Sequence, residues 1–346
     1  MSKSFVHLHA HTEYSMLDGA AKINDYLDRV KELNQPGAAI TDHGNLYGAL
    51  EFYHSALKKK LIPIIGYEAY VINDSRFDRP DRENNKRYHL TLLAENTVGY
   101  WNLVKMASKA FTEGYYYKPR VDYELLKDHS EGIIALSGCL GGEISQFLAP
   151  DGSVEEGNLE GERSFSKALE KARFYQSIFG ENNFYIELHN HGIAQQKIIL
   201  PDLLKISEEI GAPLVATNDS HYVNQDDASA HDALLCVQTN ATLDDNTRFK
   251  FDGSGYYVKS SEEMRKLFPE EKFPKACDNT VEIAERIEYN FSSPKYYLPD
   301  FPVPEKNKTI EEYLNEKVYE GAKEVYSDLS KEIKERIDYE LEVINS

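Results

Sequence analysis

The segment Val6-His7-Leu8-His9-Ala10-His11 places an imidazole at every second position. Alternate side chains of an extended strand share a face. His7 and His9 are therefore expected to point to one side and bind a metal ion together, while Val6 and Leu8 pack outward among apolar neighbours. His11 shares their parity and is a candidate ligand or substrate contact. Groups of the same kind recur in Thr41-Asp42-His43-Gly44-Asn45, Gly66-Tyr67-Glu68, Tyr88-His89, Ser137-Gly138-Cys139 and Asn218-Asp219-Ser220-His221, with Asp18 in the turn after the first strand. The candidate ligands are thus His7, His9, Asp18, His43, Glu68, His89, Cys139, Asp219 and His221. Imidazole, carboxylate and thiolate are the usual ligands of transition metals. They outnumber the roughly four to six that one ion takes, so about two to three divalent ions are expected, with Glu68 as the bridge. The mixture suits Zn²⁺, Mn²⁺ or Fe²⁺, with Mg²⁺ a further option, better than Ca²⁺. Such clusters cleave phosphate esters by polarising phosphoryl oxygens and generating hydroxide, and need no catalytic residue apart from the ligands.

These groups fall at the ends of expected strands. Apolar patterning predicts strands over 5–11, 37–41, 62–71, 88–94, 132–137, 183–189 and 213–217. Helices are expected over 22–34, 45–60, 97–112 and 194–210, with further helical material up to about residue 179. Interleaving of this kind predicts an α/β fold on a parallel sheet, and β/α barrels carry their sites just past the strand ends. Residues 74–87 and 149–162 read as long polar loops, the first of them mobile. Beyond residue 222 helices dominate, at 225–237, 260–267 and 275–287. A proline-punctuated linker over 291–308 precedes one or two charged helices in 309–346. The last helix stops without a cap, as expected of a cut inside a longer protein.

Of the 346 residues, 58 are acidic and 39 basic, a net charge of −19. That excludes binding of nucleic acid through a globally basic surface. It does not exclude a nuclease, because bound cations invert the charge of an acidic cleft. No apolar run approaches the roughly 18–20 residues of a membrane span, and the N-terminus lacks a secretory signal. Three cysteines make no disulfide framework, so the expected location is cytoplasmic.

The histidine runs resemble the PHP (polymerase and histidinol phosphatase) superfamily. Glu13-Tyr14-Ser15-Met16-Leu17-Asp18-Gly19, Gly114-Tyr115-Tyr116-Tyr117-Lys118-Pro119-Arg120, Leu136-Ser137-Gly138-Cys139-Leu140-Gly141-Gly142-Glu143 and His231-Asp232-Ala233-Leu234-Leu235-Cys236 resemble, more narrowly, the PHP domains of bacterial DNA polymerase III alpha subunits. The resemblance runs from about Phe5 to Pro304. It implies a distorted seven-stranded (β/α)7 barrel over about 4–222, a helical extension over 223–290 and, in 309–346, the helical start of a palm region. It implies the same ligand set and a metal-dependent 3′–5′ exonuclease that proofreads DNA. The implied partners are the DNA 3′ end, the palm and thumb, and other replisome proteins. Since the family's palm carboxylates lie further along, this stretch is expected to lack DNA synthesis. Two alternatives remain: a metal-stapled platform for a separate exonuclease subunit, and a small-molecule phosphatase of the histidinol-phosphatase type. Lys118 and Arg120, beside Tyr115, Tyr116 and Tyr117, are candidate contacts to single-stranded DNA, against a packed loop as the plain alternative. His189 and His191 are expected to hydrogen-bond ligands, His54 to lie on a helix surface, His129 to be solvated in a loop and His231 to be structural.

Overall fold

The computed structural model describes residues 4–81, 84–149, 163–291 and 299–346. The expected loop at 149–162 and the first part of the linker thus lie almost wholly outside the described residues. The chain separates into two compact units, 1–291 and 292–346.

In the first unit α1 (Ile23–Glu32) buries the stripe Ile23, Tyr26, Leu27 and Val30. It leads into β1 (Gly37–Ile40), α2 (Ala49–Lys59) and the long β2 (Ile62–Ile72). Then follow β3 (Tyr88–Ala94), α3 (Thr97–Thr112), β4 (Arg120–Asp122), α4 (Tyr123–Asp128) and β5 (Ile133–Leu136). Asn96 fixes the start of α3, its side chain accepting from the amides of Val98 and Gly99. Next come α5 (Glu143–Leu148), α6 (Phe165–Phe179), β6 (Phe184–Leu188), α7 (Ala194–Ile210) and β7 (Leu214–Ala216). The extension contains α8 (Ala228–Thr239), α9 (Ser261–Leu267) and α10 (Asp278–Arg286). In the second unit α11 (Ile310–Val325) pairs with α12 (Lys331–Asn345), with Tyr319 hydrogen-bonded to Asp338.

Seven strands form a sheet in the order β1-β2-β3-β5-β6-β7, with β4 on β2. The sheet is mixed, not parallel as expected: β3 runs antiparallel to both β2 and β5. Residues 5–11 are not one of the seven strands. They nevertheless close the barrel, bridging β1 at His7–Ala38 and the segment after β7 at Ala10–Ser220.

That closing segment contains a bulge. Ala39 donates to the His7 carbonyl at 2.7 Å and Thr41 to the Ala10 carbonyl at 2.9 Å, so three steps on one chain oppose two on the other. The backbone bends at His9 and the side-chain alternation shifts. Val6 and Leu8 point inward, packing with Ala39, Ile64, Leu93, Ile134 and Val215 in an apolar plug. His9 and His11 then also point inward, among the carboxylates Glu68 and Asp219. His7 is left on the other side, fully buried, with Nε2 2.9 Å from the Lys259 carbonyl. The expectation that His7 pairs with His9 is therefore corrected: the bulge hands that role to His11.

The expected mobile loop at 74–87 is also corrected at its start. Arg76 is buried, its guanidinium 3.0 Å from both Asp122 oxygens and 2.7 Å from Glu113.

Burial, opposed by the hydrogen bond to Lys259, lowers the His7 imidazole from 6.5 to about 4. The stability linked to this neutral ring is complete above 6.5 and is lost as pH falls toward 4, because the unfolded chain takes up the proton first. Chelator-stripped His7→Gln should therefore lose about 2 kcal/mol less stability than wild type between about pH 7 and pH 5. Urea unfolding midpoints at the two pH values measure the difference; equal losses contradict it.

Candidate metal centre

Glu68 is the hub. β2 carries it into the barrel mouth, where both of its oxygens meet imidazoles. Oε1 lies 3.0 Å from His89 Nδ1, 3.4 Å from His9 Nε2 and 3.8 Å from Cys139 Sγ. Oε2 lies 2.9 Å from His43 Nδ1 and 3.3 Å from His11 Nε2. Asp219 Oδ1 is 3.1 Å from His11 Nε2 and 3.4 Å from His9 Nε2. Asp18 Oδ2 joins His43 Nε2 at 2.9 Å to His221 Nε2 at 3.1 Å. His9, His11, Asp18, His43, Glu68, His89, Cys139, Asp219 and His221 thus form one connected constellation.

The backbone sets this geometry by local devices. Glu68 donates its amide to the Asp42 carbonyl at 3.1 Å and accepts from Gly44 at 2.8 Å, which locks the His43 turn to β2. Gly138, at φ +87°, passes so close to His89 that a Cβ would lie 2.5 Å from the His89 carbonyl oxygen. Only glycine fits there, and the turn presents Cys139. Asp219 has left the strand and sits at φ +44°. His221 follows it with Nδ1 at 2.9 Å from the Asp219 carbonyl, and both side chains line the same cleft.

The two expected cationic contacts fare differently. Arg120 is buried, and its guanidinium donates to the carbonyls of Gly114, Arg76 and Asp78 at 2.9, 2.9 and 2.6 Å. That arginine ties the 76–78 chain to the sheet and is corrected to a structural role. Lys118 is half-buried, with Nζ 5.2 Å from the centre of the Tyr70 ring, which stacks on His43.

Sequence reasoning missed Glu187. This fully buried residue of β6 has Oε1 2.7 Å from His9 Nδ1, 2.6 Å from Thr217 Oγ1 and 3.0 Å from His189 Nε2, and Oε2 accepts from the Gly138 amide at 2.9 Å. By accepting the His9 Nδ1–H it leaves Nε2 lone-paired and turned to the constellation. The signal was an acidic residue inside the apolar run Phe184-Tyr185-Ile186-Glu187-Leu188. A second such chain runs from His11 Nδ1 to Ser15 Oγ at 3.0 Å and on to Asp42 at 2.9 Å. His231 contacts the Asp18 carbonyl at 2.7 Å, and His191 the Asn218 carbonyl at 2.9 Å.

The electrostatics are those of buried carboxylates among imidazoles. Burial alone would raise Glu68, but His89, His9 and His43 hold it well below its ordinary value. Asp219 and Asp18 are likewise lowered against burial, chiefly by His9 and His221 respectively. Burial would lower His9, yet Asp219, Glu187 and Glu68 outweigh it and raise the ring well above 6.5. Burial, then Glu68 and Asp219, push the Cys139 thiol well above 9.

The residues fit a cluster of transition-metal ions. His9 Nε2, His11 Nε2, His43 Nδ1, Glu68 Oε2 and Asp219 Oδ1 are buried, and none makes a hydrogen bond among the described residues, although they lie within ion-pairing distance of one another. Donor atoms that crowd together without bonding each other are what a shared cation requires. Adjoining sets of three or four such atoms can be drawn, His11–Asp18–His43–His221, His9–His11–Asp219 and His43–Glu68–His89, which share His11 and His43 and suit more than one ion.

The chain matches the PHP domain over residues 7–191 and belongs to that family. It is similar nearly end to end to DNA polymerase III alpha subunits. That of Thermus aquaticus is 46% identical over 334 residues, 94% of this chain and 26% of the relative. That of Borreliella burgdorferi is 43% identical over 342 residues, 98% of this chain and 28% of the relative. The chain thus spans little more than a quarter of the length of these relatives. Among solved structures, a two-domain Bacteroides vulgatus protein described as containing a predicted PHP-like metal-dependent phosphoesterase aligns at TM-score 0.37 and 12% identity, over 64% of this chain and 55% of its own. Among the described residues no helix is long and apolar enough to cross a membrane.

Elemental analysis of reconstituted protein should find more than one transition-metal ion per chain; one or none contradicts the cluster. Glu187→Gln should weaken metal binding about 10–100-fold, as loss of a ligand's hydrogen-bond partner does. Because His9, His43 and Cys139 must each shed a proton whose affinity the site has raised, metal affinity should climb with pH between about 6 and 8. Equilibrium dialysis with Mn²⁺ or Zn²⁺ reads both effects, and affinity flat in pH would contradict the second.

Proposed function

We propose that the chain is a multinuclear metal-dependent phosphoesterase that removes nucleotides from the 3′ end of DNA, as the proofreading PHP part of a replicative polymerase alpha subunit. The observation that carries this reading is the single constellation around Glu68, in which the two oxygens of one buried carboxylate meet five side chains from four parts of the barrel. Bound divalent cations supply hydroxide near neutral pH and neutralise charge on the phosphate.

The chain's own residues set the terms for that chemistry. Glu68 suits a bridge between two ions, its oxygens facing different imidazoles. Glu187 and the Ser15–Asp42 pair fix the tautomers of His9 and His11, so that Nε2 of each faces the centre. The His231 contact steadies the Asp18 turn. Without cations the positive charge of the mouth is spent on Asp18, Glu68 and Asp219 and leaves none for a phosphate, so substrate binding is itself metal-dependent.

The DNA 3′ end, the remainder of the polymerase and a cytoplasmic location belong to the same proposal, as does the assignment of 309–346 to the start of a palm region. The metal-stapled platform remains as a second reading. It is favoured by the span of the ligands, from His9 to His221, because a cluster that joins both ends of the barrel also stabilises the fold.

Asp219→Asn removes a ligand charge with little change of shape. It should lower Mn²⁺-dependent release of 3′ nucleotides from a 5′-labelled strand by about a hundredfold or more. His54→Ala, on the exposed face of α2, should leave the rate unchanged. Equal rates for Asp219→Asn and wild type, or no release by either protein with its metals confirmed, would remove the nuclease reading. The second outcome would leave the staple.

A further inference from the structure

The metal centre forms the floor of a cleft that opens to solvent. Part of its wall owes nothing to the ligands. The irregular chain between α8 and α9 brings Phe249, Lys250 and Phe251 onto the cleft, and Gln195, from the first turn of α7, lines it too. This segment is anchored on both sides. Arg248 pairs with both Asp232 oxygens at 2.6 and 2.5 Å, and Asn218 Nδ2 donates to the carbonyls of Gly255 and Tyr257 at 2.9 and 2.8 Å. Phe251 stands edge-on to His221 with ring centres 4.7 Å apart. Phe249 lies 5.8 Å further out, at 87° to Phe251, and keeps its ring half-exposed. Lys250 is exposed and makes no hydrogen bond or ion pair among the described residues, in a chain with net charge −19. The Gln195 amide also makes no hydrogen bond among them.

Two aromatic rings, a cation and an amide beside a phosphoesterase-like centre are the recognition groups of a nucleotide: a stacking face, a phosphate partner and a base-edge partner. We propose that this wall is the subsite for an unpaired 3′-terminal nucleotide of single-stranded DNA. Phe249 stacks on the base, Lys250 pairs with a phosphate and Gln195 hydrogen-bonds the base edge. The inference rests on the phosphodiesterase reading and extends it to substrate choice: a paired terminal base must leave its partner to reach Phe249, so frayed and mismatched ends are favoured.

The test uses the full 346-residue chain loaded with Mn²⁺. The probe is a short single strand with a phosphorothioate last linkage and 2-aminopurine as its 3′-terminal base, whose fluorescence is quenched by stacking. Wild type should quench it, and should quench 2-aminopurine placed well inside the strand much less. Phe249→Ala should abolish the terminal quenching and weaken binding about tenfold or more, and Phe249→Tyr should restore both. Lys250→Ala should weaken binding and reduce its salt dependence by about one phosphate contact while terminal quenching at saturation persists. Phe249→Ala should lose oligonucleotide hydrolysis about tenfold more than it loses hydrolysis of bis(p-nitrophenyl) phosphate, which has no base.

The subsite is overturned if Phe249→Ala binds and quenches like wild type, or if it loses bis(p-nitrophenyl) phosphate and oligonucleotide hydrolysis equally. Quenching that depends on Phe249 without any hydrolysis would uphold the subsite and remove the phosphodiesterase reading. Hydrolysis of a normal strand without such quenching would do the reverse.

Discussion

Three carboxylates, Asp18, Glu68 and Glu187, are buried within one barrel mouth beside a fourth, Asp219, that is only partly exposed, and the rest of the site answers to that burden. Removing an unpaired carboxylate from water costs several kcal/mol. The site meets this cost with imidazoles: every carboxylate oxygen named above lies near a ring nitrogen or an amide. Without cations, His9 and His43 are held toward the protonated form, so the centre is a lattice of imidazolium and carboxylate. A divalent cation replaces those protons with a denser charge. Cys139 shows the limit of the proton-only arrangement, since burial and then Glu68 and Asp219 all hold its thiol well above the ordinary range.

The barrel separates stability from charge along its axis. Below, Val6, Leu8, Ala39, Ile64, Leu93, Ile134, Leu136 and Val215 form an apolar plug. Above, the same strands or their extensions contribute Glu68, His89, Thr91, Glu187 and Thr217. The bulge at 7–10 is the hinge between the two layers, because it allows consecutive residues Leu8 and His9 to serve the plug and the centre respectively. The segment that carries it also joins β1 to the chain after β7, so the same residues close the barrel and build the centre.

The helical extension belongs to the site as much as the barrel does. Lys259 gives His7 its carbonyl contact, and its Nζ holds Asn218, the neighbour of Asp219, at 3.0 Å. His231 on α8 holds the Asp18 turn, and the 249–256 chain walls the cleft. A centre built from barrel loops alone would lack the outer supports that aim its ligands.

The sequence by itself determined the chemical class of the centre. Asp18, His43, Glu68, His89, Cys139, Asp219 and His221 declared themselves by type and by position after apolar runs, because strand ends are where a β/α barrel can expose polar groups. It also determined most helices, whose stripes and caps are local properties, as at Asn96 before α3. Only the tertiary structure decided which two of the three alternating histidines enter the centre. Strand parity assumes an unbroken ladder, and the bulge is set by the register of a partner strand about thirty residues away. The antiparallel direction of β3, the structural role of Arg120 and the central place of Glu187 were likewise settled by neighbours distant in the chain. A lone acid in an apolar strand says that it needs partners, but only the closed barrel says that His9 and Thr217 are those partners.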